Sequence, residues 1–205
     1  VPIINVKYKT LSLGGAGNVY NNLINMGAKV SVLGKIGDDT YGQTLINKIR
    51  KKKLVNNLII THKNSKTIKK TRIVNNEDQI IRIDDEEIKN LKTLTSSLKN
   101  KIIATIKKSS LVIISDYGKG FCTKTICRFL IKHAKKNNIK TIVDPRKNYN
   151  DYSKYINSDY ITPNLNELRL IFPKIKNTDK DIFKSSKKII KKYKIENIIA
   201  TRSEK

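Results

Sequence analysis

The chain has 205 residues and a formal net charge of +26, from 43 Lys and Arg against 17 Asp and Glu. Apolar residues make up 38% of it, which is enough for a folded core and too many for a disordered chain. It contains no uncharged apolar run of about 18 residues and no signal-peptide pattern at its start, so we expect neither a transmembrane helix nor a membrane partner.

The hydrophobic pattern predicts strands and helices in alternation along most of the chain. The first half is predicted to contain a strand at Pro2–Lys7, a glycine-rich turn at Gly14–Asn18 opening a helix, a strand at Lys29–Gly34, a turn at Gly37–Gly42 leading into a helix that ends near Lys52, and a hairpin of Thr67–Val74 and Gln79–Asp84. The second half is predicted to contain helices at Leu91–Lys108, Thr123–Asn137, Leu165–Phe172 and Asp179–Tyr193, and strands at Leu111–Ser115, Thr141–Asp144, Asp159–Thr162 and Glu196–Thr201.

This order predicts an α/β fold. Short continuous apolar strands that alternate with helices are typical of a mostly parallel sheet covered by helices on both faces. The first strand and the hairpin interrupt the alternation, so we expect them to form a separate small sheet. The two cysteines, Cys122 and Cys127, predict neither a disulfide framework nor a zinc site, which fits a reducing cytoplasm.

Polar residues follow four successive predicted strands. In open α/β sheets ligands bind beyond the carboxyl ends of the strands. Each residue alone has a plainer explanation as a helix cap or turn residue, above all Asp144 and Asn164. As a set they predict a site for a charged ligand and for Mg²⁺, which favours carboxylate and water ligands. The set comprises Asp116, Asp144, Asn164 with Glu167, and Thr201 with Arg202.

Two further groups are candidate ligand-binding residues. The glycines of Gly14–Asn18 let a ligand approach the backbone closely, although Asn18 could instead cap the helix that follows. Lys70 and Arg72 lie two apart on a strand and therefore share a face, with Arg82 on the partner strand. These cations suit a sugar phosphate, and the alternative is a solvated basic face. Neither His62 nor His133 has a neighbour that suggests catalysis.

The charge alone would suggest nucleic-acid binding. The chain, however, contains 36 Lys and only 7 Arg, spread along its length, whereas base-specific recognition favours Arg. AT-rich codon usage explains such a bias more simply. We therefore predict no specific nucleic-acid partner, and only weak, salt-sensitive binding to polyanions.

The motifs and their order resemble the ribokinase-like (PfkB-type) sugar kinases. GGAGN followed by NMGAKVSVLGKIGDDTYG is similar to the first signature of that family, and TPNLNE contains its N-x-x-E element at Asn164 and Glu167. KTRIVNNEDQIIRIDDE, SDYGKG, IVDPR and TRSE further resemble the kinase domain of bifunctional heptose 7-phosphate kinase/heptose 1-phosphate adenylyltransferases.

The resemblance implies a three-layer α/β domain with a small β lid, formed by residues 1–8 and 67–85. It implies that Gly14, Gly15 and Asn18 hold the sugar, and that Asn164 and Glu167 organise Mg²⁺ through water around the phosphates of ATP. The lid residues Lys70, Arg72 and Arg82 would contact the sugar phosphate, and Thr201 and Arg202 would approach the nucleotide. Asp116, Lys119 and Asp144 would line the cleft.

The resemblance also implies a function. We expect ATP-dependent phosphorylation of D-glycero-D-manno-heptose 7-phosphate at O1, in the synthesis of ADP-heptose for the lipopolysaccharide core, by a dimer paired through the lids. The first strand of the family and its Gly-Ala-Gly-Asp motif, which supplies the catalytic base, have no match in the chain. We therefore expect residues 1–205 to be a partial kinase domain, inactive alone, with the base after Lys205.

Three alternatives remain open from the sequence. The chain could belong to another PfkB-type kinase, acting on a fructose-type phosphate or a free sugar. It could be a basic nucleic-acid-binding protein, or a decayed gene product without activity. Tyr20 also stands where the family has a small residue, so the packing of the first helix is a specific question for the structure.

Overall fold

The computed structural model describes residues 3–50, 57–75, 78–146 and 149–202. Its elements are, in chain order, α1 (Ala16–Asn25), β1 (Val32–Gly37), α2 (Thr40–Arg50), β2 (Asn57–His62), β3 (Lys69–Asn75), β4 (Asp78–Asp85), α3 (Ser96–Lys107), β5 (Leu111–Ser115), α4 (Lys124–Lys136), β6 (Lys140–Asp144), a 3₁₀ helix (Ser153–Tyr155), β7 (Tyr160–Ile161), α5 (Leu165–Ile171), α6 (Asp179–Tyr193) and β8 (Asn197–Ile198). None of these helices is both long and apolar enough to cross a lipid bilayer.

The second half of the chain forms a parallel sheet, as the sequence predicts, and its four strands lie in the order β5-β6-β7-β8. Each strand lies beside the next one in the chain, so every connection is a crossover between parallel neighbours. Residues of α4, the 3₁₀ helix, α5 and α6 share one core cluster with the sheet, as expected when crossovers are right-handed, which places these helices on one face. The helix α3 packs against α4 and extends this layer.

The core lies between this sheet and its helical layer. Ile114, Val143 and Ile161 point from three neighbouring strands into it and are at most 3% exposed. From α4 the core receives Ile126 and Leu130, which lie four residues apart and therefore on one side of the helix. The outer sides of the same helices remain in solvent.

The first half of the chain contributes two smaller sheets. The strands β1 and β2 pair in parallel, and β3 and β4 form the predicted antiparallel hairpin, hereafter the lid hairpin. The turn after β1 is connected to the start of the lid hairpin through Asp39. Its carboxylate accepts hydrogen bonds from the backbone of Gly42 and of Thr67, both at 2.7 Å. The hydroxyl oxygen of Thr67 in turn accepts a hydrogen bond from the backbone of Gly37 at 2.9 Å.

Tyr20 fits its helix without disturbing it. Its side chain is 2% exposed, and its hydroxyl donates a 3.2 Å hydrogen bond to the carbonyl of Ile49 in α2. Burial raises the pKa of this phenol. The large residue therefore joins α1 to α2.

Gly27, with a φ of 85°, ends α1 as predicted. Its N–H donates to the carbonyl of Ile24, and the N–H of Ala28 donates to the carbonyl of Leu23.

Several predicted elements are wrong in their bounds or existence, among them the last strand, which spans only Asn197–Ile198. Residues 3–8 form no strand; they are exposed and pair with no described strand, and a strand needs such a neighbour. The strand predicted at Lys29–Gly34 lies at Val32–Gly37, where it pairs with β2, an element that the pattern analysis missed. The helix predicted from Leu91 begins at Ser96, because the side chain of Thr95 caps it.

Candidate functional site at the strand ends

The carboxyl ends of the parallel strands surround one cavity of about 220 Å³, hereafter the strand-end cavity. Its oxygen-bearing side chains come from the ends of all four strands of the sheet. This is the edge at which the sequence predicts a ligand site. The cavity is lined by Asp116, Tyr117, Asp144, Pro145, Thr162, Asn164, Glu167 and Thr201.

Asn164 and Glu167 form a reciprocal helix cap at the start of α5. The side chain of Asn164 accepts a hydrogen bond from the backbone of Glu167, and the Glu167 carboxylate accepts one from the backbone of Asn164, both at 2.9 Å. Asn164 therefore caps α5, which is the plainer of the two explanations that the sequence offers for this residue. Both residues also line the cavity, so the cap holds the Asn164 amide and the Glu167 carboxylate at the cavity wall. Glu167 is 4% exposed. Asp144, by contrast, caps no described helix.

The cavity has the donor chemistry that Mg²⁺ requires. Carboxylate, amide and hydroxyl oxygens face it, and Mg²⁺ prefers hard oxygen ligands and retains several of its waters. A volume of about 220 Å³ leaves room for such waters. The residues present therefore fit a hydrated magnesium ion.

Asp116 is held by a buried network beneath the cavity. Its carboxylate accepts hydrogen bonds from the Tyr155 hydroxyl at 2.7 Å and the Gly118 backbone at 2.7 Å, and it forms an ion pair with Lys154. The side chains of Asp116 and Lys154 are only 1% and 7% exposed. The sequence analysis missed Lys154 and Tyr155, and nothing in the pattern distinguishes this lysine among 36. Burial, followed by the nearby Asp116 charge, raises the pKa of Tyr155 far above its ordinary value.

The loop 116–120 connects this network to the glycine-rich turn. The ring of Tyr117 lies against Gly15, where a side chain would meet it at 3.4 Å. Gly15 has a φ of 53°, a left-handed conformation that favours glycine. Tyr117 lines the cavity, so this contact places the glycine-rich turn, with Gly14 and Gly15, and the start of α1 beside the cavity wall.

Asn18 is not a helix cap. It is the third residue of α1, whose cap position is Gly15, and it is exposed. Its side chain forms no hydrogen bond with any described residue. The side chain is therefore available to a ligand, and whether it binds the sugar stays a prediction.

The predicted lid cations are largely engaged by carboxylates. Lys70 bonds Asp84 at 2.7 Å and also contacts Glu86, while Arg82 grips Asp84 through two nitrogens at 2.8 and 2.6 Å. Hydrogen bonds from Arg82 and Lys70 hold the pKa of Asp84 well below its usual range. Arg72 lies directly opposite Arg82 and has no hydrogen-bonding or ionic partner in the part of the chain that the structure describes.

Lys119 joins the lid hairpin to the loop 116–120. It forms an ion pair with Glu86, the same carboxylate that contacts Lys70. Hydrogen bonds from Lys119 and then Lys70 lower the pKa of Glu86. Charged contacts thus lead from the lid hairpin to the loop 116–120, whose Asp116 and Tyr117 line the cavity, while Lys119 itself does not line it.

Thr201 and Arg202 separate at the last strand. Thr201 lines the cavity and pairs with Asn164 across a parallel bridge. Arg202 instead turns toward the start of α6, donating to the side chain and carbonyl of Asn177, both at 2.8 Å, and pairing with Asp179. The Arg202 guanidinium does not line the cavity in this conformation. Its predicted contact with a nucleotide stays a prediction.

The two cysteines are free, and no described contact makes them a metal site. Their sulfurs lie within 4.8 Å of each other and of an Asp116 oxygen. The Lys154 ammonium already neutralises that carboxylate, and a hydrogen bond with Cys127 followed by burial raises the pKa of Cys122 well above normal. His133 packs against the ring of Phe129, and burial lowers its pKa.

Comparison with known proteins places the chain among sugar kinases. The model of the pfkB family carbohydrate kinases matches residues 2–205. The bifunctional protein HldE of Aliarcobacter butzleri is 40% identical over 172 residues, covering 82% of this chain and 35% of that protein. HldE of Nitratiruptor is 33% identical over 205 residues, covering all of this chain and 43% of that protein. The chain therefore spans less than half the length of these relatives.

Solved structures share the fold. Arabidopsis thaliana ribokinase, in complex with ribose and ATP, superposes with a TM-score of 0.74 over 97% of this chain and 63% of its own, at 14% identity. Escherichia coli phosphofructokinase-2 with fructose-6-phosphate gives a TM-score of 0.65 over 93% and 62%, at 16% identity. These likenesses confirm the predicted ribokinase-like α/β architecture.

Proposed function

The chain belongs to the pfkB family of carbohydrate kinases, and we propose that it forms part of an enzyme that transfers the γ-phosphate of ATP to O1 of D-glycero-D-manno-heptose 7-phosphate. The reaction would supply ADP-heptose synthesis for the lipopolysaccharide core, in the cytoplasm. The heptose assignment is supported by the motifs quoted above and by the similarity to bifunctional HldE proteins.

One observation carries the chemical part of this proposal. Asp144, Thr162, Asn164, Glu167 and Thr201 converge on the strand-end cavity, at the edge where α/β folds bind ligands. This is an oxygen-lined site next to a glycine-rich turn, which suits a phosphorylated nucleotide and a polyhydroxyl acceptor. In-line phosphoryl transfer needs positioning and charge neutralisation more than covalent help from the protein.

Each group of residues then has a role in the proposed enzyme. Gly14, Gly15 and Asn18 hold the sugar, with the Asn18 amide bonding its hydroxyls. Asn164 and Glu167 hold Mg²⁺ through water, and the ion when bound neutralises negative charge on the phosphates. Thr201 borders the nucleotide.

The lid hairpin binds the 7-phosphate in this proposal. Among the described cations of the lid hairpin, Arg72 alone has no hydrogen-bonding or ionic partner, so it can take the phosphate without losing another contact. Lys70 and Arg82 share its face, and their carboxylate partners hold them in place. Lys119, which joins Glu86 to the loop 116–120, couples the occupied lid to the cavity.

The opposite face of the lid hairpin supports a dimer. Ile81 and Ile83 lie on it and are 43% and 51% exposed, beside Thr71 and Ile73 on the paired strand. Burial of such an apolar face against a second copy would stabilise both. We therefore propose that the enzyme pairs through its lids.

The test uses the full-length enzyme with ATP and a panel of heptose 7-phosphate, fructose 6-phosphate and ribose. The proposal expects kcat/KM to be highest for heptose 7-phosphate. A preference for either other sugar would instead identify another PfkB-type kinase. Asn18→Ala and Glu167→Gln should each lower activity strongly while leaving the circular dichroism spectrum unchanged. Unchanged rates in both variants would refute the site assignment.

A further inference from the structure

The outer side of the helical layer is strongly basic. On α6 the buried residues Ile182, Ser185, Ile189 and Tyr193 recur every three or four positions and face the sheet. The outward positions are occupied by lysines. All six of these are exposed: Lys180, Lys184, Lys187, Lys188, Lys191 and Lys192.

The neighbouring helix α4 continues this surface. Its exposed positions include Lys132, Lys135 and Lys136, and the right-handed crossovers place α4 and α6 on the same face of the sheet. Both helices lie against the 3₁₀ segment: α4 packs on the 3₁₀ helix, and the ring centre of Tyr152, just before it, lies 5.9 Å from that of Tyr193 in α6. These three lysines and the six of α6 are hereafter the basic face.

Acidic residues are nearly absent from these helices. Within α3 and α4 there is no Asp or Glu, and α6 carries only Asp179 and Asp181, both in its first turn. Asp151, just before the 3₁₀ helix, accepts a hydrogen bond from the backbone of Ser153. Eight of the 17 acidic residues lie instead within 38–39 and 77–87. The outward positions of α4 and α6 therefore carry a local excess of positive charge.

An exposed aromatic residue lies within the basic face. Phe183 is 62% exposed on α6, and the ammonium of Lys187 lies 4.4 Å from the centre of its ring. On the adjoining α5, Leu170 is 41% exposed. An exposed aromatic side chain among lysines is a feature of protein surfaces that bind anionic membranes.

We propose that the basic face docks the protein onto a membrane surface rich in anionic lipids. This departs from the sequence-based expectation of no membrane partner. Base-specific recognition favours Arg, whereas the nine basic-face residues are all Lys, and the exposed Phe183 among them suits a lipid surface better than a nucleic-acid backbone. The strand-end cavity is lined by residues at the carboxyl ends of the strands and by no residue of the basic face, so docking leaves it open to solution.

The test is co-sedimentation of the full protein with vesicles at about 150 mM salt, where the Debye length is about 8 Å. Vesicles of phosphatidylcholine alone are compared with vesicles that also contain phosphatidylglycerol. The face variant carries Glu at Lys184, Lys187, Lys188 and Lys191. The matched control carries Glu at four exposed lysines elsewhere, Lys7, Lys9, Lys29 and Lys63. Both variants lower the net charge of +26 by the same amount.

We expect the wild type to bind only the phosphatidylglycerol vesicles. The affinity of the face variant for these vesicles should be at least tenfold lower, and that of the control variant should be almost the wild-type value. Phe183→Ser should weaken binding severalfold without a change of charge. Equal losses in the face and control variants would overturn the proposal, as would wild type that stays in the supernatant. Retention of single-stranded RNA at the same salt with no vesicle binding would identify a nucleic-acid surface instead.

Discussion

The buried ion pair beneath the strand-end cavity gives the sharpest stability prediction. Lys154→Met keeps a long apolar side chain but removes the ammonium from Asp116, whose side chain is 1% exposed. Removal of one partner of a buried pair costs about 3–5 kcal/mol, because the other charge is left buried. The Tyr155 hydroxyl and the Gly118 backbone still donate to Asp116, so we expect the lower end of this range.

The assay is urea unfolding of the full chain, followed by circular dichroism. With a slope of about 2 kcal/mol per M, a loss of about 3 kcal/mol lowers the midpoint by about 1.5 M. Lys119→Met is the matched control: its ion pair with Glu86 is 31% and 16% exposed, and it should cost less than about 1 kcal/mol. The double variant Lys154→Met with Asp116→Asn should recover much of the loss.

The reasoning would be refuted by a midpoint for Lys154→Met that matches the Lys119→Met control. Additive losses in the double variant would refute it as well, because two residues that form one buried network must couple.

Further predictions concern single residues. Tyr155→Phe should lower the free energy of unfolding by about 1.5–3 kcal/mol, since it removes a hydrogen bond to the charged Asp116, and the same urea titration measures it. Gly118→Ala should destabilise the chain, because Gly118 has a φ of 68° and its added methyl would lie 2.4 Å from Arg146 Nε; unchanged thermal unfolding would contradict this. Burial raises the pKa of Asp159, but hydrogen bonds from Lys140 and Thr141 outweigh it and lower the pKa overall. A carboxyl with a lowered pKa stabilises the fold above its unfolded pKa of about 3.9 and loses that effect as the pH falls through the folded pKa. The stability gap between wild type and Asp159→Asn should therefore narrow on acidification, and a constant gap in acid titrations would count against it.

Sequence reasoning worked where a local rule fixes the position of a residue. Asp144, Asn164 and Thr201 follow parallel strands, and parallel strands end at a common edge, so their meeting around one cavity could be inferred without coordinates. The capping box at Asn164 and Glu167 can likewise be predicted from the spacing of three positions between the two residues.

Sequence reasoning failed where contacts span distant parts of the chain. Lys154 and Tyr155 reach Asp116 across 38 and 39 residues, from an irregular connection with no distinctive pattern. The contact of Arg202 with Asn177, 25 residues earlier in the chain, was likewise not foreseen, and its predicted approach to a nucleotide stays a prediction. Such pairings depend on how the connections pack, and a single sequence does not encode that packing in any local signal.

The measurement that tests the central claim most directly is phosphorus NMR of the full-length enzyme mixed with ATP, Mg²⁺ and heptose 7-phosphate. The proposed function predicts loss of the ATP γ-phosphate signal with equal growth of ADP and of a second sugar phosphate signal at the anomeric position. Glu167→Gln should slow this conversion strongly. If the heptose stays monophosphorylated while the same enzyme phosphorylates fructose 6-phosphate or ribose, the heptose assignment is contradicted. If no sugar gains a phosphate, the kinase proposal itself is contradicted.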